Sequence, residues 1–252
     1  MKFIRKIGVF ILVFSFVFYW IHITGHFNKN VVLADLGGVP WLYSSLVTLF
    51  SIIAGFIIQK EWDNWNNLID AVNEEVNALR ELWLWSRYLP IESKDKLGSG
   101  VKFYLEEMTE NGLVKSVRGE RSKIIERAFG TLQDAMFEMH TNTPDSISTT
   151  FSFFSRLIES RSARMSYGSH HVPEQLRRTI FFVTILVIFL CMFIGIKNIW
   201  LDYGFTLSVA ITAFVIYLVI DDLDNPLEPG NWHLTTENYD LLLKQIDDAE
   251  RK

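Results

Sequence analysis

Four stretches of this 252-residue chain run for about seventeen to twenty-one residues without a single Asp, Glu, Lys or Arg, and that pattern limits what the chain can fold into. A bilayer core of about 30 Å needs roughly 20 apolar helical residues, because an unpaired backbone amide in hydrocarbon costs several kcal/mol and a helix pairs its own. The stretches run from about Ile7 to Thr24, Val39 to Gln59, Ile180 to Ile196 and Tyr203 to Ile220. The first two are joined by a short segment, as are the last two, so each pair reads as a helical hairpin. With 20 Phe, 8 Trp and a formal charge of -5, the chain is neither a basic nucleic-acid binder nor an acidic disordered one.

Orientation follows from the cations, since Lys and Arg flanking a span are retained in the cytoplasm. Lys2, Arg5 and Lys6 precede the first span, sixteen Lys and Arg fall in residues 60–178, and Lys244, Arg251 and Lys252 lie in the tail. Only Lys29 and Lys197 fall on the other side. A multi-pass cell-membrane protein with both termini cytoplasmic is expected: a hairpin over 1–59, a helical cytoplasmic domain over 60–178, a second hairpin over 179–220 and a cytoplasmic tail over 221–252. Trp20, Trp41 and Trp200 then mark the outer interface and Trp62 the inner one. The competing reading of residues 1–24 is a cleaved leader with Val32-Leu33-Ala34 as its cleavage site. A long apolar core ending in Tyr19 and Trp20 favours a retained span.

Past Lys60, Leu68, Val72, Val76, Leu79 and Leu82 return at helical spacing, so the second span is expected to continue as a long amphipathic helix until Pro90 ends it. A polar break is expected from Ile91 to Gly100. Further helices are expected around Val101 to Val117, Glu120 to Met139 and Ser148 to Met165, separated by Thr143-Pro144-Asp145 and by Gly168 through Pro173. The tail carries Tyr239, Leu242 and Ile246 on one face, able to pack on its own body or to bind a partner.

The second span holds the most informative pattern. Ser44, Thr48, Ser51, Gly55 and Gln59 fall within an arc of about 80° at helical periodicity. The same face continues through Trp62, Asn66, Asp70, Asn73 and Asn77. Such a stripe either packs against another helix or faces water, and its persistence from membrane to cytoplasm favours the wall of an aqueous path. Asp70 is the charge on that face as far as Asn77, with Arg80 one turn on. At the end of the fourth span, Asp221, Asp222 and Asp224 sit where helix carbonyls already disfavour carboxylates, which points either to a cation there, Arg, Lys or calcium, or to solvated interfacial charge with Asp224 and Asn225 organising the turn before Pro226. His170-His171 reads as a loop pair, His22 and His26 as interfacial anchors, and Cys191 as a buried, inert thiol. A single cysteine allows no disulfide within the chain, and no hydrolase, P-loop, zincin or dinucleotide motif occurs, so an enzyme is not expected.

The order of these features resembles the bestrophin-like family, in its bacterial branch. Trp62, Ala71, Glu75, Ala78, Leu79, Leu82 and Leu89-Pro90 resemble one family run. Asp222-Leu223-Asp224-Asn225-Pro226-Leu227 is similar to another, with Asn225 and Leu227 in place of the usual Arg and Phe. Leu157, Ser160-Arg161 and Arg164-Met165 match a third. The resemblance implies an all-α, four-transmembrane-helix fold with a helical cytoplasmic domain. It also implies a homopentameric channel that passes inorganic ions through a pore lined by the second span, here Ser44, Thr48, Ser51, Gly55, Gln59, Asn66, Asp70 and Asn73. Family pores narrow at an apolar neck, for which Ile52 and Phe56 at the stripe's edge are the candidates. In animal members an acidic cluster after the fourth span binds calcium, which marks Asp221, Asp222 and Asp224. The rival is a non-conducting membrane scaffold or sensor acting through the cytoplasmic helices.

Overall fold

The computed structural model describes residues 2–23, 37–113, 123–142, 147–196, 198–228 and 230–251. Expectations for His26, Lys29, Val32-Leu33-Ala34, Val117, Glu120, Thr143-Pro144-Asp145 and Lys197 fall outside the described residues. The described residues contain helices and no strand: α1 (Lys2–Ile23), α2 (Val39–Ser86), α3 (Ile91–Glu107), α4 (Lys123–Asn142), α5 (Ile147–Gly168), α6 (Glu174–Cys191), α7 (Ile199–Asp224) and α8 (Glu237–Glu250). A π-helical turn, Met108–Gly112, extends α3.

The helix α2 is unbroken for 48 residues, a rise of about 72 Å. Pro40 sits in its first turn, where a missing N–H removes no helical bond. The chain turns tightly through Leu89, whose N–H bonds Ser86 O at 3.1 Å, and Pro90 caps α3. The polar break expected over Ile91–Gly100 is therefore helix. Its polar residues form the wet side, with Lys96 pairing Glu92 at 3.5 Å and Glu138 at 2.6 Å, while Leu97 and Gly100 are buried. Gly100 serves close packing within this helix: a Cβ there would lie 3.0 Å from Leu132 Cδ2.

Among the described residues, three helices, α1, α2 and α7, are long and apolar enough to cross a membrane. The expected third span, 180–196, ends early as α-helix at Cys191, and α6 opens with the charged Glu174, Arg177 and Arg178. Met192, Phe193 and Ile194 continue in one tighter turn, bonding the carbonyls three residues back, before Gly195 at φ 68° ends it. Asn198 then caps α7 by accepting from the amides of Trp200 and Leu201 at 3.0 and 3.4 Å.

The chain divides into two compact units, residues 1–63 with 171–233, and residues 64–170 with 234–252. In the first, Phe50, Ala54 and Ile57 of α2 pack with Ile180 and Val187 of α6 and Ala213 and Ile220 of α7. Phe14, Phe18 and Ile21 of α1 form a second cluster with Cys191, Met192 and Ala210. Ser15 Oγ and Tyr203 OH share a hydrogen bond at 2.7 Å across α1 and α7.

The second unit is a helical body whose fully buried residues include Leu68, Leu79, Leu97, Leu105, Leu132 and Leu157. At its centre Arg164 Nε donates to Glu75 Oε2 at 2.6 Å and Tyr104 OH donates to Glu75 Oε1 at 2.8 Å, all three side chains fully buried. Burial opposes the Arg164 charge, but the Glu75 carboxylate outweighs it and holds the guanidinium above its ordinary value. Tyr239, Leu242 and Ile246 of α8 are buried, and Lys102 Nζ bonds Asp247 at 2.6 Å and Glu250 at 3.0 Å. The tail's apolar face is thus occupied by its own body.

Candidate functional site

One edge of α2 is covered by the chain itself and the other is bare. Phe50 and Ala54 are 3% and 1% exposed, whereas Ser44, Thr48, Ser51, Gly55 and Gln59 are all exposed. The stripe is therefore not a seam within the described chain. A Cβ at Gly55 would touch nothing within 4 Å. Beside the stripe, Ile52 and Phe56 are exposed at 51% and 74%.

Two of the hydroxyls on this edge have committed their protons. Thr48 Oγ1 donates to Ser44 O at 2.9 Å and Ser51 Oγ to Val47 O at 2.8 Å. A serine or threonine bonded back into its own helix keeps only acceptor lone pairs for the outside. At Thr48 and Ser51 this edge can consequently accept hydrogen bonds or ligate cations, but those two hydroxyls offer no donor to an anion. The Gln59 amide is also engaged, donating to Asp63 Oδ1 at 3.0 Å.

Beyond the apolar stretch, Asn66 and Asp70 are exposed and Asn73 is half-buried, its Oδ1 accepting from Asn238 at 2.8 Å. Asn77 Oδ1 accepts from Arg80 Nη1 at 2.9 Å. Asp63, which sequence reasoning passed over, adds a further exposed carboxylate on α2. Its signal was the four-residue spacing from Gln59.

The acidic residues after α7 take separate partners. Lys6 Nζ lies 3.6 Å from Asp221 Oδ2. Asp222 Oδ2 accepts from the Asn231 amide at 2.9 Å. Asp224, 1% exposed, accepts the Val172 amide at 2.6 Å and lies 3.5 Å from Arg177 Nη1 and 3.6 Å from His171 Nδ1. Protein cations and amides thus face all three carboxylates. Among the described residues, no group of three or more His, Cys, Asp or Glu is arranged to hold a metal ion.

Glu61 was also missed. It is 3% exposed, and its Oε2 has no hydrogen-bond partner among the described residues. Burial pushes its carboxyl above the usual carboxylate range and Asp224 adds to the rise, while Lys60 and His171 oppose it. Nothing in the pattern Gln59-Lys60-Glu61-Trp62 marks which charge turns inward. His171, expected as a loop residue, bonds Asp224 O at 2.9 Å through Nδ1. At the other end of the unit, His22 Nε2 lies 3.7 Å from the buried Asp202.

Long apolar helices, a helical second unit and a bare polar edge on the longest helix define an all-α membrane protein. Residues 9–228 match the family described as the Bestrophin-like domain, and the chain belongs to that family. The fold is also that of solved bacterial relatives. A single-substitution variant of the bestrophin homologue from Klebsiella pneumoniae superposes with a TM-score of 0.79 at 12% identity, covering 100% of this chain and 99% of the other. A second variant gives 0.75 at 12% identity with 100% of both chains covered. A further crystal structure of that homologue gives 0.72 at 12% identity, covering 97% of each. No curated protein matches this chain.

Proposed function

We propose that this protein is a homopentameric ion channel that crosses the cell membrane four times, with both termini in the cytoplasm, and conducts passively along a central path walled by α2. The observation that carries the reading is the bare edge: Ser44, Thr48, Ser51, Gly55 and Gln59 are exposed although the opposite edge of the same helix is buried. Polar atoms in an apolar stretch are costly unless they meet water or one another, and copies arranged about an axis supply both. Asn66, Asp70 and Asn73 extend the wall beyond the membrane, and Ile52 and Phe56 form its apolar neck.

The path favours cations. Outward lone pairs on Thr48 and Ser51 replace part of a cation's hydration shell, and Asp63 and Asp70 add negative potential on the same helix. Arg80 is engaged with Asn77. The scaffold reading, which acts through the cytoplasmic helices and the tail, loses the tail's apolar face, because Tyr239, Leu242 and Ile246 are already buried.

Purified protein in planar bilayers tests the proposal. Unitary currents are expected, with a reversal potential that follows the cation gradient and a conductance that shifts in Gln59→Leu. Silence across salts, voltages and calcium concentrations, or a monomeric mass in detergent, would overturn it.

A further inference from the structure

The outer surface of α1, α6 and α7 carries two adjoining hollows within one compact unit. The first, of about 470 Å³, is bordered by Arg5 and Lys6 and then by Val9, Val13, Phe10 and Phe214. The second, of about 320 Å³, shares Phe10 and Phe214 with it and continues along Val17, Ile185, Phe189 and Met192. The shared waist is a stacked pair, the Phe10 and Phe214 rings 4.2 Å apart. Together the hollows form one groove with a cationic head and an apolar body. Its few polar side chains do not break that character: Thr184, beside the second hollow, donates its hydroxyl to Ile180 O at 2.7 Å.

The dimensions and charge identify an occupant. From Lys6 to Val17 is eleven residues, a rise of about 16 Å, and from Phe181 to Met192 is the same. Half of a bilayer core is about 15 Å, so the apolar body has the length of one leaflet's acyl chain. Arg5 is exposed and has no carboxylate partner among the described residues; Lys6 is half exposed, 3.6 Å from Asp221. An uncompensated guanidinium beside an ammonium suits a phosphodiester, which accepts hydrogen bonds from both.

We propose that this groove is a binding site for an anionic phospholipid, with its phosphate on Arg5 and Lys6, one tail passing the Phe10–Phe214 waist, and the end of that tail against Val17 and Met192. The site does not depend on conduction, because it lies on α1, α6 and α7 and not on the bare edge of α2.

Native mass spectrometry of the full chain in detergent, titrated separately with dioleoyl-phosphatidylglycerol and dioleoyl-phosphatidylcholine, tests this. Each cation near an anionic headgroup is worth about five-fold in affinity, so wild type is expected to hold the glycerol lipid well over five-fold more tightly. Arg5→Gln/Lys6→Gln should abolish that preference while retaining the choline lipid, which also shows that the protein is folded. Ile185→Trp, which fills the apolar body, should weaken both lipids. Inorganic phosphate should displace neither. Equal retention of the two lipids by wild type, a preference that survives the double substitution, or displacement by phosphate would each overturn the assignment.

Discussion

Replacing Arg164 by methionine isolates the largest single electrostatic commitment in the second unit. Arg164 and Glu75 are both fully buried and joined at 2.6 Å, with a second contact from Nη2 to Oε1 at 3.4 Å. Methionine fills much of the aliphatic space but leaves the Glu75 carboxylate facing the Tyr104 and Tyr239 hydroxyls in place of a guanidinium. Removing one partner of a buried pair costs about 3–5 kcal/mol, because the remaining charge keeps its desolvation penalty. At about 2–4 °C per kcal/mol for a chain of this length, Tm should fall by about 6–20 °C. The double variant Glu75→Gln/Arg164→Met removes both charges and still gives Tyr104 OH an amide oxygen to donate to, so it should recover more than half of the loss. Thermal unfolding in detergent, followed by circular dichroism, reads both. A single variant that loses less than about 1 kcal/mol, or a double variant worse than the single, would show that Glu75 is not held as a charge and that the reasoning fails.

Glu61→Gln should raise Tm at pH 8 and leave it unchanged at pH 4. The folded carboxyl is raised above its ordinary value, chiefly by burial, so its ionisation opposes folding above the usual carboxylate range and has no effect below it; a Tm gain independent of pH would contradict this. In Gly230→Ala the new methyl would stand 1.7 Å from Asp222 Oδ1, forcing the carboxylate off the Asn231 amide. A loss of about 1 kcal/mol is expected in thermal unfolding, and Asp222→Asn combined with it should add little. Calcium should leave the Tm of wild type unchanged, because Asp221, Asp222 and Asp224 each face a protein donor or cation; a calcium-dependent rise that Asp222→Asn abolishes would return the cluster to a metal-binding role.

Much of the architecture was legible because burial leaves a period in the sequence. Leu68, Val72, Leu79 and Leu82 recur at helical spacing, and the structure buries each of them in one continuous α2. The segment Ile91–Gly100 was misread for a physical reason. A helix with one buried edge needs few apolar residues, and here Leu97 is flanked by lysines and glycines that pattern reading assigns to a loop. The end of α6 was misplaced because Met192–Ile196 is as apolar as the helix before it, and apolarity does not report where the hydrogen bonds shift from four residues back to three. The charged partners were least legible. Asp224 meets His171 and Arg177 across about fifty residues of sequence, and only the packing of α6 on α7 brings them together.

The polar stripe needed the structure to acquire a sign. From sequence alone, Ser44, Thr48 and Ser51 are equally donors and acceptors, so their spacing says nothing about the charge of what passes. Once Thr48 and Ser51 donate to Ser44 O and Val47 O, what those two residues present at that edge is lone pairs alone. The same helix then presents three kinds of edge: Phe50 and Ala54 buried by its own chain, Leu49 and Ile53 exposed and apolar, and the stripe exposed and polar. Lipid or a neighbouring apolar surface satisfies the second edge and only water or another polar surface the third. In the proposed ring a neighbouring copy covers the apolar edge while the axis hydrates the polar one, so substituting Ile53 should disturb assembly, whereas substituting Thr48 with valine, which keeps shape and removes the lone pairs, should change current and leave the assembled mass unaltered.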